Sequence, residues 1–344
     1  MHIPDGYISP QTAVTLGAAM VPVWGVASRK VKASLKARQV PLMAIGAAFS
    51  FTIMMYNIPV PDGTTAHAAG GTLMAIILGP WAASIGVSIA LAIQALFFGD
   101  GGIWAFGTNA FNLAFVMPFS GYFIYRLISG RSPINCRRRW IAAAVAGFVS
   151  MNLAALAAAI QFGIQPVLFQ SADGTPLYSP YPLSMAIPAM AFAHLLIAGP
   201  VEGAVTGLVV RYLQKHNQGL LQLNSPIQVR YADTVAKNYT KLWWGLAVMV
   251  VLAPLGLLAN GSAWGEWSRE EVLGMVGFLP EGMKALAATW SHALFPDYTV
   301  PGWGDGFFQS AAGYIVSAAG GLALILAVVF LGARLLVGKG KVHE

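Results

Sequence analysis

Eight long apolar stretches dominate this sequence and limit what it can fold into. They cover residues 11–28, 41–58, 65–98, 103–128, 140–163, 183–213, 242–259 and 308–337. Most of them approach the ~20 apolar residues that a helix needs to cross a bilayer. Charged residues make up 10% of the chain, whereas a soluble domain averages about 25%. A soluble protein could not cover its surface with so few charges, so the sequence predicts an all-α polytopic membrane protein.

The third stretch is too long for one crossing and contains a helix stop. Gly79 followed by Pro80 is typical of a helix end and an immediate restart. Splitting the stretch there gives nine membrane helices in all. The stretch 183–213 contains a similar Gly199-Pro200 pair, so that helix could also be broken.

Basic residues cluster between the apolar stretches. Eighteen of the 20 lysines and arginines fall in four segments, at residues 29–38, 126–139, 211–241 and 334–341. The positive-inside rule makes these segments cytoplasmic. With nine crossings, the N-terminus then lies outside and the C-terminus inside a cell (inner) membrane that the chain crosses several times. We expect membrane lipid as its surroundings, and the net charge of +7 gives no reason to expect a nucleic acid partner.

The order of polar and apolar segments predicts two units. Residues 1–213 would form a unit of seven transmembrane helices, and residues 214–241 a cytoplasmic linker. Residues 242–344 would form a second unit of two transmembrane helices, joined by an external loop at 260–307 that is rich in acids and tryptophan.

Several kinds of chemistry are excluded by missing motifs. Cys136 is the only cysteine, which rules out a disulfide framework and a cysteine metal site. The glycine-rich turn at 97–102 lacks the Gly-Lys-Ser/Thr of a phosphate-binding loop, and no other ATPase signature occurs. The chain is therefore predicted to be no enzyme, and ATP hydrolysis would have to come from a partner.

The pair Met1-His2 is the sharpest candidate for metal binding. The terminal amine of Met1, the amide nitrogen of His2 and the Nδ1 atom of His2 can form fused five- and six-membered chelate rings. Three nitrogens in a plane suit Ni(II), Cu(II) or Co(II) better than zinc. His67, on the same predicted face, could supply a fourth nitrogen. The alternative is that His2 is a solvated residue at the N-terminus, which we expect to be retained because it has no signal-peptide features.

Two ionisable residues lie inside the stretch 183–213. His194 and Glu202 are eight residues apart and share a broad helix face if the helix is continuous. Ionisable groups in a membrane are costly and are paired or functional. They could form a second metal station, but a structural role is favoured, in which Glu202 satisfies freed backbone groups. Asn109 and Asn112 could be packing residues or hydrogen-bond donors that support ligands.

Several motifs resemble those of a known transporter family. The first ten residues, MHIPDGYISP, look like the opening of the NikM/CbiM family, the substrate-binding components of energy-coupling-factor (ECF) transporters for nickel and cobalt. Further matching segments are His67 with Gly70–Leu73, Leu78–Pro80, Gln94–Gly102, Asn109, and His194 with Gly199–Gly203. In the second unit, Leu279–Lys284 and Phe295–Gly302 resemble the PDGLE-type accessory component (NikN), although Pro280–Lys284 departs from its name-giving motif.

This resemblance implies a fused metal-import subunit. Its metal ligands would be Met1, His2 and His67 in a planar nitrogen site, and its substrate would be Ni(II) or Co(II). Its partners would be a transmembrane coupling (T) component and cytoplasmic ATPase subunits. Nickel is the assignment we expect for such a fusion. The alternatives are a cobalt importer subunit for cobalamin synthesis and a secondary metal carrier driven by an ion gradient, for which Glu202 is the one intramembrane carboxylate.

Reporter fusions test the predicted topology. Fusions after residues 34 and 135 should read as cytoplasmic, and fusions after residues 62 and 275 as external, because the basic residues concentrate in four segments. A cytoplasmic reading at residue 275 would contradict the nine-helix arrangement.

Overall fold

A computed structural model describes residues 2–34, 39–224, 239–287, 292–304 and 306–336. Helices dominate this part of the chain. Its one sheet consists of two short antiparallel strands, β1 (Ile58–Pro59) and β2 (Thr65–Ala66). The prediction of an all-α polytopic membrane protein is therefore confirmed. Met1 and residues 225–238 of the predicted linker lie outside the described residues.

Helices form in every apolar stretch of the sequence. Their bounds are α1 Pro10–Ser34, α2 Val40–Met54, α3 Gly71–Leu78, α4 Pro80–Phe98, α5 Phe106–Ser129, α6 Arg137–Leu168, α7 Leu183–His216, α8 Gln218–Gln222, α9 Thr240–Leu258, α10 Arg269–Val276, α11 Glu281–Ala287 and α12 Phe307–Leu336. Within the described residues, six of them (α4, α5, α6, α7, α9 and α12) are long and apolar enough to cross a membrane. The count of nine crossings stays a prediction.

The break at Gly79 is present, but the segment before it differs from the prediction. Gly79 has a φ of 90° and separates α3 from α4. The apolar stretch that predicts this helix begins at residue 65, but Thr65–Ala66 form β2 and residues 67–70 form a buried loop, so α3 begins only at Gly71. Helix α3 has only eight residues, about 12 Å by the helical rise, against a hydrocarbon core of about 30 Å. In the predicted topology, the third crossing therefore consists of the short helix α3 and the non-helical loop before it. Non-helical backbone is tolerated within a membrane only where protein surrounds it.

Three long helices contain wider π-helical turns. They occur at Gln94–Phe98 in α4, at Ala110–Val116 in α5 and at His194–Ala198 in α7. Such turns are rare and are frequent at functional sites. Helix α7 continues through Gly199-Pro200 after its π-helical turn, so it is one helix and not two. Pro200 is tolerated there because it begins a new α-helical segment.

Helices α6 and α7 pack with their backbones close together. Small residues make this possible: a Cβ atom on Gly203 would lie 2.8 Å from the carbonyl oxygen of Ala144, and one on Gly147 would lie 3.0 Å from the carbonyl oxygen of Glu202. Small residues at helix interfaces are the usual means of such contact in membranes. Glu202, which lies on α7 beside this contact, is fully buried.

The loop predicted to be external folds back onto the first unit. Trp264 is buried and makes edge contacts with Phe162 of α6, at a ring distance of 5.6 Å. The backbone N–H of Thr65 donates to the carbonyl of Ser262 at 3.2 Å. This loop therefore contacts the segment that carries His67.

Substitution of Gly203 tests the close packing of α6 and α7. Gly203→Ala should lower the free energy of unfolding by about 1–3 kcal/mol, because the added methyl group overlaps backbone that must shift. Gly245→Ala is the matched control, since a Cβ atom there has open space, and alanine is then favoured by helix propensity. Thermal unfolding in detergent would measure both, and equal midpoints would contradict the packing argument.

Candidate metal centre

The first residues of the described chain run into the protein interior before α1 begins. His2 and Ile3 are 2% and 1% exposed. Asn109 of α5 fixes the backbone of Ile3 in both directions: its Oδ1 accepts the Ile3 N–H at 2.9 Å, and its Nδ2 donates to the Ile3 carbonyl at 3.0 Å. The N–H of Gly102 donates to the same carbonyl at 2.9 Å. Segment 2–9 is therefore bound by specific hydrogen bonds, and the solvated alternative for His2 is wrong.

Asp5 ties the same segment to the glycine-rich turn. Its carboxylate accepts the backbone N–H of Ile103 at 3.0 Å and that of Ala105 at 3.1 Å. Burial raises the pKa of Asp5, while these backbone hydrogen bonds act in the opposite direction. Gly102 must be glycine at this contact, because a Cβ atom would lie 2.1 Å from the carboxylate of Asp5.

His67 lies beside His2 in the buried loop before α3. The two imidazole rings are stacked, with centroids 5.0 Å apart and planes inclined by 20°. The Nδ1 of His67 lies 3.0 Å from the carbonyl oxygen of Ala68, and a hydrogen bond there leaves Nε2 as the nitrogen with a lone pair. Such orientation through the other ring nitrogen is usual for a metal-binding histidine.

Glu202 of α7 holds the loop that follows His67. Its Oε2 accepts the backbone N–H groups of Ala69 and Gly70, each at 2.9 Å. Thr206 donates to the other oxygen at 3.4 Å. This geometry agrees with the structural role favoured from the sequence, and the backbone groups that Glu202 satisfies belong to the loop that follows His67.

Carboxylates face two of the nitrogens that the sequence predicts as ligands. The amide N–H of His2 donates to Oε1 of Glu266 at 2.7 Å, and Nδ1 of His2 lies 3.2 Å from Oδ1 of Asp100. Burial would raise the pKa of Glu266, but nearby positive charge and the hydrogen bond from the His2 amide outweigh burial and lower it. Glu266 is therefore ionised at neutral pH, and the site attracts cations.

Asp100 also accepts a hydrogen bond from Tyr298, in the region after α11. Its Oδ2 accepts hydrogen bonds from the hydroxyl of Tyr298 at 2.5 Å and from Nε2 of Gln94 at 3.2 Å. The ring of Tyr298 stacks on Phe98, with centroids 5.0 Å apart. The orientation of Asp100 toward His2 thus depends on a residue almost 200 positions away in sequence.

The structure brings together some of the predicted residues and adds others. His2, His67 and Glu266 each offer a ligand atom within 4.8 Å of the other two. His194 is buried but does not belong to this group, and its Nδ1 lies 2.8 Å from the carbonyl of Met190 one turn earlier. Asn109 and Asn112 are hydrogen-bond partners of Ile3 and Gln161. Glu266 was missed because it is one of many acids in the predicted external loop.

Comparison with known proteins identifies the family of this arrangement. Residues 2–220 match the CbiM family, described as a cobalt uptake substrate-specific transmembrane region, and residues 240–338 match the PDGLE domain. The fused nickel transport protein NikMN of Rhodobacter capsulatus is 47% identical, over 97% of this chain and 98% of its own length. The probable fused nickel transport protein LarMN of Lactiplantibacillus plantarum is 41% identical, over 100% of this chain and 98% of its own.

A solved structure shares the fold of part of the chain. The crystal structure of a truncated transition metal transporter superposes with a TM-score of 0.59 and 59% identity, covering 63% of this chain and 99% of its own. The resemblance seen in the sequence is thus confirmed, as is the expectation of a transporter and not an enzyme. The chain is a multi-pass membrane protein that belongs to the CbiM family of nickel and cobalt transport proteins and continues into a PDGLE domain.

Proposed function

We propose that this protein is the substrate-binding subunit of an ATP-driven ECF importer for nickel. The observation that carries the proposal is the buried, stacked pair of His2 and His67, with both the amide and the Nδ1 nitrogens of His2 facing carboxylates. Water-excluded imidazoles next to anions favour a divalent cation. The relatives named as nickel transport proteins supply the choice of metal.

The proposed binding site is a plane of four nitrogens. Its ligands are the terminal amine of Met1, the amide nitrogen and Nδ1 of His2, and an imidazole nitrogen of His67. The amide N–H of His2 donates to Glu266, and Nδ1 of His2 lies 3.2 Å from Oδ1 of Asp100. A divalent cation in the planar site would replace the amide proton, since metal ligands must be deprotonated. The two carboxylates favour that exchange because they stabilise positive charge.

Selectivity would come from the geometry and type of the ligands. Mg(II) and Ca(II) bind oxygen ligands in octahedral or larger shells, whereas Ni(II) accepts a plane of nitrogens. Co(II) is the second candidate because the matching family is described by cobalt uptake. The hydrogen bonds that position Ile3 and Asp5 would fix the backbone of His2 in advance and so limit adaptation to other ions.

Energy for transport would come from partner proteins. We place the N-terminus outside and the C-terminus in the cytoplasm, with residues 1–213 as the binding unit, 214–241 as the linker and 242–344 as the accessory unit. A transmembrane coupling component and cytoplasmic ATPase subunits would dock on the cytoplasmic side. A secondary carrier is less well supported, because the carboxylate of Glu202 is bound to the backbone of the loop after His67.

An added residue at the N-terminus tests the planar site. One residue before Met1 moves the terminal amine out of the chelate ring, so high-affinity nickel binding and uptake should be lost while membrane insertion persists. Uptake of radioactive nickel by cells expressing the transporter, with the protein amount measured in membranes, would show this. Normal uptake by the extended protein would exclude the terminal amine as a ligand.

The two buried histidines provide a second test. His67→Ala should weaken nickel retention by more than the roughly 10–100-fold that is typical of residues supporting a ligand, because it removes a ligand itself. His194→Ala should retain the metal, since its imidazole bonds to its own helix. Metal content of the purified variants would be measured near neutral pH. Equal loss in both variants, or full retention in His67→Ala, would remove His67 from the ligand set.

A further inference from the structure

Tyr298 lies in a turn between α11 and α12 that has an unusual backbone. Asp297 and Tyr298 have φ angles of 49° and 62°, and they are the only non-glycine residues with positive φ in the part of the chain that the structure describes. Backbone of this kind is unfavourable for residues with a Cβ atom and persists only where the surrounding structure holds it. Such positions cluster at functional sites, so this turn is a candidate for a functional contact.

The ring of Tyr298 is held by packing against three helices. The residue is only 6% exposed. Its ring lies 5.0 Å from that of Phe98 in α4, 6.2 Å from that of Phe51 in α2 and 5.5 Å from that of Tyr314 in α12. The hydroxyl of Ser317, also in α12, donates to the carbonyl of Tyr298 at 2.9 Å. These neighbours set the position of the ring, and the hydroxyl group of Tyr298 is not needed for it.

The hydroxyl group of Tyr298 bonds to the carboxylate that faces His2. It donates to Oδ2 of Asp100 at 2.5 Å and accepts a hydrogen bond from Nε2 of Gln94 at 3.0 Å. Gln94 also donates to Oδ2 of Asp100, at 3.2 Å. Two donors thus hold one carboxylate oxygen, while the other, Oδ1, lies 3.2 Å from Nδ1 of His2. Because a carboxylate is planar, holding Oδ2 directs Oδ1 toward His2.

The backbone around Asp100 constrains its side chain little. Asp100 lies between Gly99 and Gly101, whose φ angles are 69° and 83°, and glycine is the most flexible residue in a chain. The side chain of Asp100 is 19% exposed, so water can compete for its oxygens. Hydrogen bonds to a carboxylate are stronger than those between neutral groups. The bond from the buried Tyr298 therefore selects the orientation of Asp100 toward His2.

We propose that Tyr298 is a positioning residue for nickel binding, whose hydroxyl group holds the carboxylate of Asp100 against Nδ1 of His2. That nitrogen is a ligand in the planar site, so the inference rests on the proposed function. A carboxylate in this place orients the imidazole and brings negative charge to the point where the cation binds. Residue 298 lies within the match to the PDGLE domain, which thereby contributes to metal affinity without supplying a ligand.

Removal of the hydroxyl group tests this role. Tyr298→Phe in the full-length protein keeps the ring and should weaken Ni(II) binding by roughly 10–100-fold, the usual cost of losing a group that supports a metal ligand. Tyr314→Phe is the matched control: it removes a hydroxyl from a buried tyrosine of the same ring cluster. Among the described residues, the side-chain donors to Asp100 Oδ2 are Tyr298 and Gln94, so the control should bind Ni(II) as the wild type does. Calorimetric titration with Ni(II) alone measures both.

A double-mutant cycle shows whether Tyr298 acts through Asp100. Asp100→Ala removes the carboxylate, so Tyr298→Phe should have little further effect on Ni(II) affinity in that background. A general loss of packing around the ring would instead weaken binding equally with and without Asp100, because effects of independent sites add. The cycle therefore separates positioning from a merely structural effect.

The outcomes distinguish this inference from the proposed function. Unchanged affinity in Tyr298→Phe, equal losses in the two phenylalanine variants, or a loss that persists in the Asp100→Ala background would each overturn the positioning role and leave the planar site standing. The planar site is tested separately by the added residue before Met1. If that extension leaves nickel binding unchanged, the planar site fails, and the cycle still reports whether Tyr298 acts on bound nickel through Asp100.

Discussion

The chemistry of this site depends on a peptide segment that is held inside a bundle of helices without being part of a helix. Backbone groups buried in a membrane protein must find partners, and segment 2–9 finds them in side chains. Asn109 satisfies both polar groups of Ile3, and Asp5 accepts two N–H groups of the turn after α4. These bonds fix the backbone of His2, so that its amide nitrogen, and not only its imidazole, reaches the site.

Two carboxylates link segment 2–9 to distant parts of the chain. Asp100 lies in the part of the chain that matches the CbiM family and Glu266 in the part that matches the PDGLE domain, and each contacts a nitrogen of His2. Tyr298 holds Asp100 from the other side. A buried site in which two carboxylates face nitrogens of His2 is suited to attract a cation. The PDGLE region therefore contributes directly to the candidate site, since Glu266 in its loop contacts His2.

The His67 loop shows where reasoning from hydropathy fails. The apolar stretch used to predict the third helix begins at residue 65, but residues 65–70 form a short strand and a loop, and the helix begins at Gly71. Their N–H groups are satisfied by tertiary contacts: Thr65 donates to Ser262, and Ala69 and Gly70 donate to Glu202. Glu202 is distant in sequence, so no local pattern could show that the helix is replaced. The stop at Gly79-Pro80, by contrast, is a local backbone property and was predicted correctly.

The sequence alone determined the class of the protein, because the lengths of apolar stretches and the shortage of charges are properties of composition and order. It also determined the family, through residue patterns that need no coordinates, and it selected His2 and His67 as candidate ligands because few side chains bind transition metals. Only the tertiary structure decided that these two imidazoles stack, that Asp100 and Glu266 face His2, and that His194 binds its own helix. The physical reason is that hydrogen bonds and charge contacts act over a few ångströms in space, and the chain brings Glu266 to His2 across 264 positions.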